Sequence, residues 1–234
     1  MNKDLSQVYG EISQSFSATR QHPWAEFAVF SKLLPEQAKV LDLGCGNGRL
    51  RKFLPAEISY TGVDFTAELL DIAQKQYPHD KFRHGKMQSV KTICEGEKFD
   101  GIFLIASFHH LASQSEREQL LADLHDLLNE GGKIFISNWN LYQKKYWKSW
   151  LANLGNFLAR KAKWGDLQIP YQVAGKKHYR YYYAFSLLEL HKLFAQKSWK
   201  VEQEFYTRGQ KIVLKSSDAY NFCHVLSANG PFFF

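Results

Sequence analysis

The chain has 234 residues, 45% of them apolar and 23% charged, with a formal net charge of +7. That length supports one large domain with a real core, and the composition excludes a disordered chain. No apolar run approaches the roughly 18 residues of a membrane-spanning helix, the N-terminus lacks the apolar stretch of a secretory signal, and Cys45, Cys94 and Cys223 are too scattered for a disulfide framework or a cysteine-based zinc site. The expectation is a soluble cytoplasmic protein without a metal centre.

From Lys39 onward, short apolar runs alternate with helix-length amphipathic ones. AKVLDLG reads as a strand, GRLRKFL as the start of a helix, EISYTGVDF as a second strand and AELLDIAQKQY as a helix. A short DKFRHG strand precedes the continuous apolar run FDGIFLIAS, which reads as a buried strand. Ser113 and Glu116 form a capping box for the next helix, whose buried stripe is Leu120, Leu121, Leu124, Leu127 and Leu128, and Gly131-Gly132 is placed at its end. The strand GGKIFISNW, the helix FSLLELHKLFAQ and two edge strands, WKVEQEFY and QKIVLKS, complete the pattern. Strands alternating with helices predict a Rossmann-like α/β fold: a seven-stranded, mostly parallel sheet with helices on both faces and an insertion after strand five. The whole chain, 1–234, reads as one domain, with a helical cap over 1–37, the insertion over 139–184 and an unassigned tail over 217–234.

The charge is concentrated in that insertion. Residues 139–184 hold nine basic residues and one acid, Asp166, together with four of the six tryptophans and seven of the twelve tyrosines. Cations interleaved with aromatic rings suit a phosphate backbone with bases that can stack; a solvated basic face over packed tyrosines is the competing reading.

In a doubly wound sheet, ligands sit at the carboxyl ends of the strands, here after Leu43, Asp64, Ala106 and Ser137. Gly44, Gly46 and Gly48 follow the first strand directly, where glycine allows a tight turn and close approach of a ligand to the backbone. The dinucleotide pattern G-x-G-x-x-G would need glycine at Arg49, and no P-loop lysine follows. Asp42 would repel a pyrophosphate but suits a ligand with an ammonium, a sulfonium and a ribose diol, which is S-adenosyl-L-methionine. Asp64 ends the second strand, where a carboxylate accepts from both ribose hydroxyls. Phe65 and Ile105, at the ends of strands two and four, join the cofactor-binding set. Lys86 stands where an adenine-binding Asp is usual, which leaves Gln88 and Met87 as the adenine contacts.

The segment IASFHHLAS after strand four has no proline turn of the kind used on amino groups of bases, and no cysteine is placed for attack on a pyrimidine ring. Oxygen or sulfur methylation remains. His109 is a candidate catalytic residue, and His110 a weaker one.

The N-terminal run with Ser17, Thr19, Arg20, Pro23 and Trp24, the glycine loop, FDGIFLIASFHHLAS, DLQIPYQ and the Arg180–Phe185 segment together resemble the tRNA wobble-uridine carboxymethyl methyltransferases, including the methyltransferase domain of AlkB-homologue tRNA enzymes. The likeness covers residues 8–215. Tyr183 departs from the family histidine, and Gly209-Gln210 from its Asn-Trp. The resemblance implies esterification of a carboxymethyl group on wobble uridine, with tRNA on the 139–184 surface and a small zinc-binding activator subunit as partner. Arg20 and Arg180 are then candidates for orienting the carboxylate, Arg20 alternatively for the cofactor's own carboxylate, and Tyr181 and Tyr182 for contacting the flipped base. Two other readings stay open: an O-methyltransferase for a small carboxylate or hydroxyl metabolite, and a non-catalytic RNA- or partner-binding scaffold.

Overall fold

In a computed structural model of the chain, described over residues 8–13, 22–173 and 175–228, the apolar runs become the strands of one central sheet. These are β1 (Lys39–Leu43), β2 (Ser59–Asp64), β3 (Lys81–His84), β4 (Phe99–Ile105), β5 (Leu128–Trp139), β8 (Trp199–Arg208), β9 (Lys211–Val213) and β10 (Asn221–Ala228); β6 (Asp166–Val173) and β7 (Lys176–Tyr183) form a separate antiparallel pair. The order is β3-β2-β1-β4-β5-β10-β8-β9, with the first five parallel and β10 antiparallel to both its neighbours. The chain winds one way from β1 through β3 and the other way from β4, so a crevice opens between the carboxyl ends of β1 and β4.

Helices are α1 (Ala25–Ser31), α2 (Ala67–Gln76), α3 (Gln114–His125), α4 (Trp147–Leu158) and α5 (Leu187–Gln196). Alternation within the strands divides the core. Val40, Tyr60, Phe103 and Phe135 face Phe27 and Phe30 of α1. Leu41, Ile102, Leu104 and Ile136 face the opposite way, toward α3 and α5. Strands buried on both faces must be apolar throughout, and that is why β4 reads as an unbroken apolar run. The capping box of α3 is present, and Ser186 with Glu189 builds a second one on α5.

Three expectations are corrected. The sheet has eight strands, not seven, because the unassigned tail adds Asn221–Ala228, which lies between β5 and β8 with its first six residues buried, while Lys211–Val213 forms the expected edge strand beside β8. Helix α3 ends at His125, and Gly131-Gly132 lies within β5, where the pairing to β4 shifts register between Phe99 and Gly101. GRLRKFL forms only a 3-10 turn over Arg49–Phe53. Of the expected 1–37 cap, residues 8–13 and Ala25–Ser31 are helical, whereas Ser17, Thr19 and Arg20 lie outside the described residues. The insertion consists of α4 and the β6–β7 hairpin.

Candidate active site

The crevice holds a cleft lined by residues from the ends of β1, β2 and β4. One wall is the glycine loop. Gly44, Gly46 and Gly48 all take positive φ, of 79°, 55° and 73°. At Gly44 this is compounded by crowding: a Cβ there would lie 2.5 Å from Cβ of Ser107, whose hydroxyl donates to the Leu43 carbonyl at 2.6 Å. Gly44 and Gly46 line the cleft, but Gly48 packs toward Ala73 and Tyr77 and serves the turn.

Asp64 braces this loop. Its Oδ2 accepts from the Gly46 N–H and its Oδ1 from the Thr66 N–H, both at 2.8 Å. Each oxygen keeps lone-pair capacity for a ligand hydroxyl, since a carboxylate offers about four acceptor positions. Asp42 sits deeper. Tyr60 donates to its Oδ2 at 2.6 Å, while Oδ1 is buried with no hydrogen-bond partner. Burial pushes this carboxyl up to about 7, against the Tyr60 hydrogen bond, which lowers it. An orphaned carboxylate oxygen aimed into a cleft is poised for a cationic donor, and an ammonium supplies that. Arg49 also lines the cleft, with its guanidinium 3.8 Å from the ring centroid of Trp24. Ala106 adopts φ 52° at the end of β4, a left-handed conformation unfavourable for a residue with a side chain.

The opposite end is roofed by β7. Its even-numbered residues His178, Arg180 and Tyr182 are buried, and Tyr182 stacks on Trp139 with centroids 4.9 Å apart. His110 Nδ1 meets the Tyr181 carbonyl at 2.8 Å and its Nε2 lies 3.2 Å from the Tyr9 hydroxyl. A carbonyl can only accept, so Nδ1 carries the proton and Nε2 accepts from Tyr9. Burial lowers this imidazole to about 4, so it is neutral at physiological pH. Arg180 lies behind Tyr9 and Tyr182, only 3% exposed. Its guanidinium is 4.6 Å from the Tyr171 ring and 5.4 Å from that of Tyr182, Nη1 reaches the Tyr9 hydroxyl at 3.5 Å, and Nε has no hydrogen-bond partner. No carboxylate of the described residues pairs with it.

The structure thus gathers Asp42, Gly44, Gly46, Asp64, Phe65, Met87 and Ile105 around one cleft. It does not bring Gln88 there: that amide is spent on Glu116 at 2.9 Å. His109 is not among the residues lining the cleft. It is 0% exposed and packed against His110, Trp139 and Tyr182, and its Nδ1 accepts from the Trp139 N–H at 3.3 Å; the neighbour His110 faces the cleft instead. Nor does Tyr181 line it: strand alternation turns Tyr181 away from Arg180, and its hydroxyl donates to Asp166 at 2.7 Å. Tyr9, Arg49 and Ser107 were missed. Only Arg49, adjacent to the third loop glycine, carried a signal in the sequence.

Conversion of Tyr182 to Phe, which removes a hydroxyl 3.4 Å from that of Tyr9, is expected to lower turnover several-fold. Conversion of Tyr181 to Phe is expected to change it less than twofold. Parallel steady-state turnover assays check the pair.

A family model described as "Methyltransferase domain" matches residues 40–132. Among curated proteins, the mouse tRNA (carboxymethyluridine(34)-5-O)-methyltransferase ALKBH8 is 32% identical over 142 residues, covering 61% of this chain and 21% of that protein. The Schizosaccharomyces pombe tRNA (carboxymethyluridine(34)-5-O)-methyltransferase is 31% identical over 150 residues, 61% of this chain and 60% of that protein. The chain therefore spans about a fifth of the vertebrate relatives it matches. A protein of Encephalitozoon cuniculi named as a methyltransferase is 30% identical over 188 residues, covering 80% of this chain and 83% of its own length. Among solved structures, an S-adenosylmethionine-dependent methyltransferase from Clostridium acetobutylicum superposes with a TM-score of 0.65 at 14% identity, covering 96% of this chain and 98% of that one. The CcbJ methyltransferase from Streptomyces caelestis gives 0.68 at 13% identity, covering 95% and 96%. With a relative matched over most of both chains and a methyltransferase domain matched around the glycine loop, this chain belongs to the methyltransferases, and its fold is that of S-adenosylmethionine-dependent methyltransferases of known structure.

Proposed function

We propose that the protein transfers a methyl group from S-adenosyl-L-methionine to a carboxylate, and that this carboxylate is the carboxymethyl group of a modified wobble uridine in tRNA. The observation that carries the acceptor class is Arg180: a buried guanidinium with one long hydrogen bond and no carboxylate partner among the described residues. Burying such a charge unpaired costs several kcal/mol, and an anionic acceptor offsets that cost.

The cofactor supplies an electrophilic methyl group on a sulfonium. Asp42 would hold its ammonium, Arg49 its carboxylate and Asp64 its ribose diol, while Phe65 and Met87 would give apolar contact to the adenine. Gly44 and Gly46 let the backbone approach. At the other end Tyr9 and Tyr182 face the acceptor, and Arg180 behind them supplies the positive charge that holds its carboxylate. A carboxylate is ionised at pH 7, so no strong general base is needed, and the neutral His110 fits that requirement by holding Tyr9 in place. Rate comes from aligning one carboxylate oxygen with the methyl group, an orientation effect.

The names of the curated relatives support the tRNA substrate. So does the insertion, where Lys144, Lys148, Arg160, Lys161 and Lys163 are exposed beside the half-exposed rings of Trp147, Trp164 and Tyr179. The test is incubation with methyl-labelled cofactor and tRNA bearing carboxymethyluridine, followed by mild alkali. Label that enters tRNA and leaves under alkali supports the ester. Alkali-labile label on small carboxylates with tRNA inert favours the metabolite reading. If both stay unlabelled after a small zinc-binding activator subunit has been added, the carboxylate assignment fails and a scaffold role stands.

The raised Asp42 carboxyl gives a pH signature. The group is neutral below about 7 and anionic above it, and only the anion attracts an ammonium. Cofactor affinity measured by calorimetry is therefore expected to fall about tenfold from pH 8 to pH 6, and Asp42→Asn is expected to flatten that dependence at a weaker affinity.

A further inference from the structure

Three ligand-type side chains converge on the face of the sheet under α5, away from the cleft. His224 and Glu204 are directly paired across β10 and β8, which puts both side chains on one face of the sheet. His191 reaches down from α5, whose Leu190 and Phe194 anchor it over the same strands. The ligating atoms of the three all lie within 4.8 Å of one another. His224 Nε2 is 3.1 Å from Glu204 Oε2, and His191 Nε2 contacts that same oxygen. Tyr206 donates to the other oxygen, Oε1, and so fixes the carboxylate plane. His224 is wholly buried beside the Phe194 ring, whereas the His191 side chain is 48% exposed, so the cluster is closed on one side and open to water on the other.

We propose that His191, Glu204 and His224 form a binding site for a divalent transition-metal ion, with zinc the best match. Two imidazoles and one carboxylate are a donor set that zinc takes readily, and the open side leaves a fourth position for water. A tetrahedral zinc with bonds of about 2.0–2.1 Å separates its ligand atoms by about 3.3 Å, so rotamer adjustments on the His191 side suffice to seat the ion. Metal binding requires neutral imidazole and ionised carboxylate. With Nε2 on the metal, the His224 proton moves to Nδ1, which has no partner in its buried setting. Metal-ligating histidines usually have such a partner, so the affinity expected is micromolar, not that of a closed structural zinc site. Positions 191, 204 and 224 are too far apart in the chain to form a ligand motif legible in the sequence. None of the three residues lines the cleft, and the site stands independently of the proposed reaction.

The test uses the full chain, stripped with a chelator and titrated with zinc chloride against a competing metal indicator. One zinc per chain with micromolar affinity is expected, together with a rise in thermal midpoint at saturating zinc. Cobalt(II) in its place should give visible absorption bands of a low-coordinate nitrogen–oxygen site. His191→Ala should weaken binding at least tenfold with an unchanged far-UV spectrum, because that side chain is half-exposed; Glu204→Gln should do the same. No saturable zinc binding by the unaltered chain overturns the proposal and leaves a hydrogen-bonded ion triad. Binding that persists unchanged in His191→Ala places the metal elsewhere and overturns it equally.

Discussion

Arg180→Ala is expected to reduce ester formation at least 100-fold while leaving cofactor affinity within a few-fold. The asymmetry follows from position. Arg180 stands behind Tyr9 and Tyr182 at the roofed end, and it does not line the cleft that the glycine loop and Asp42 define. Loss of a group that orients or stabilises the reacting atoms typically costs about 10²–10³ in rate. Arg180→Lys keeps the charge but not the planar pair of donors, so partial activity is expected. Stability should move the other way. A buried cation without an anionic partner destabilises the resting protein, so Arg180→Met, which fills the same space among Tyr9, Tyr171 and Tyr182, should leave the thermal midpoint unchanged or raised. Single-turnover assays, calorimetry with the cofactor and thermal unfolding check the three statements. Loss of cofactor binding in Arg180→Ala would show that the residue serves the other ligand.

Asp64→Ala is expected to weaken cofactor binding at least 100-fold and to lower stability by roughly 2–5 kcal/mol. The first effect removes the acceptor for the ribose hydroxyls. The second arises because both carboxylate oxygens hold backbone N–H groups, of Gly46 and Thr66, in a buried loop. Each donor left unpaired costs about 1–3 kcal/mol. The two effects reinforce each other, since a loosened glycine loop no longer presents its backbone to the ligand. Asp64→Asn, which keeps one good acceptor, should fall between. Calorimetry and denaturant unfolding measure both, and wild-type affinity in Asp64→Ala would rule out the ribose assignment.

Local information in the chain was enough for the elements whose signal is itself local. The apolar run of β4, the capping box at Ser113 and Glu116, and the Gly44-Gly46-Gly48 turn between Asp42 and Asp64 each depend on neighbours within a few residues. The doubly wound core, its helices on both faces and the acidic strand ends of the cleft were therefore legible from the amino acids alone. What tertiary structure decided was everything set by contact between distant segments. The last described strand, Asn221–Ala228, follows no α-helix, and only the gap between β5 and β8 makes it a central strand. Residues His109 and His110 are adjacent, as are Tyr181 and Tyr182, so spacing cannot say which of each pair faces the cleft. The turn after Ser107 buries His109 and points His110 outward, and the pairing of β7 with β6 sets Tyr182 inward and Tyr181 away. Tyr9, His110 and Arg180 are far apart in the chain, Tyr9 lying 101 residues from His110 and 171 from Arg180, and meet only because the β6–β7 hairpin folds back over the strand ends. The cluster of His191, Glu204 and His224 has the same origin: three unremarkable polar positions on α5, β8 and β10 become a site when antiparallel pairing and helix packing bring them to one point.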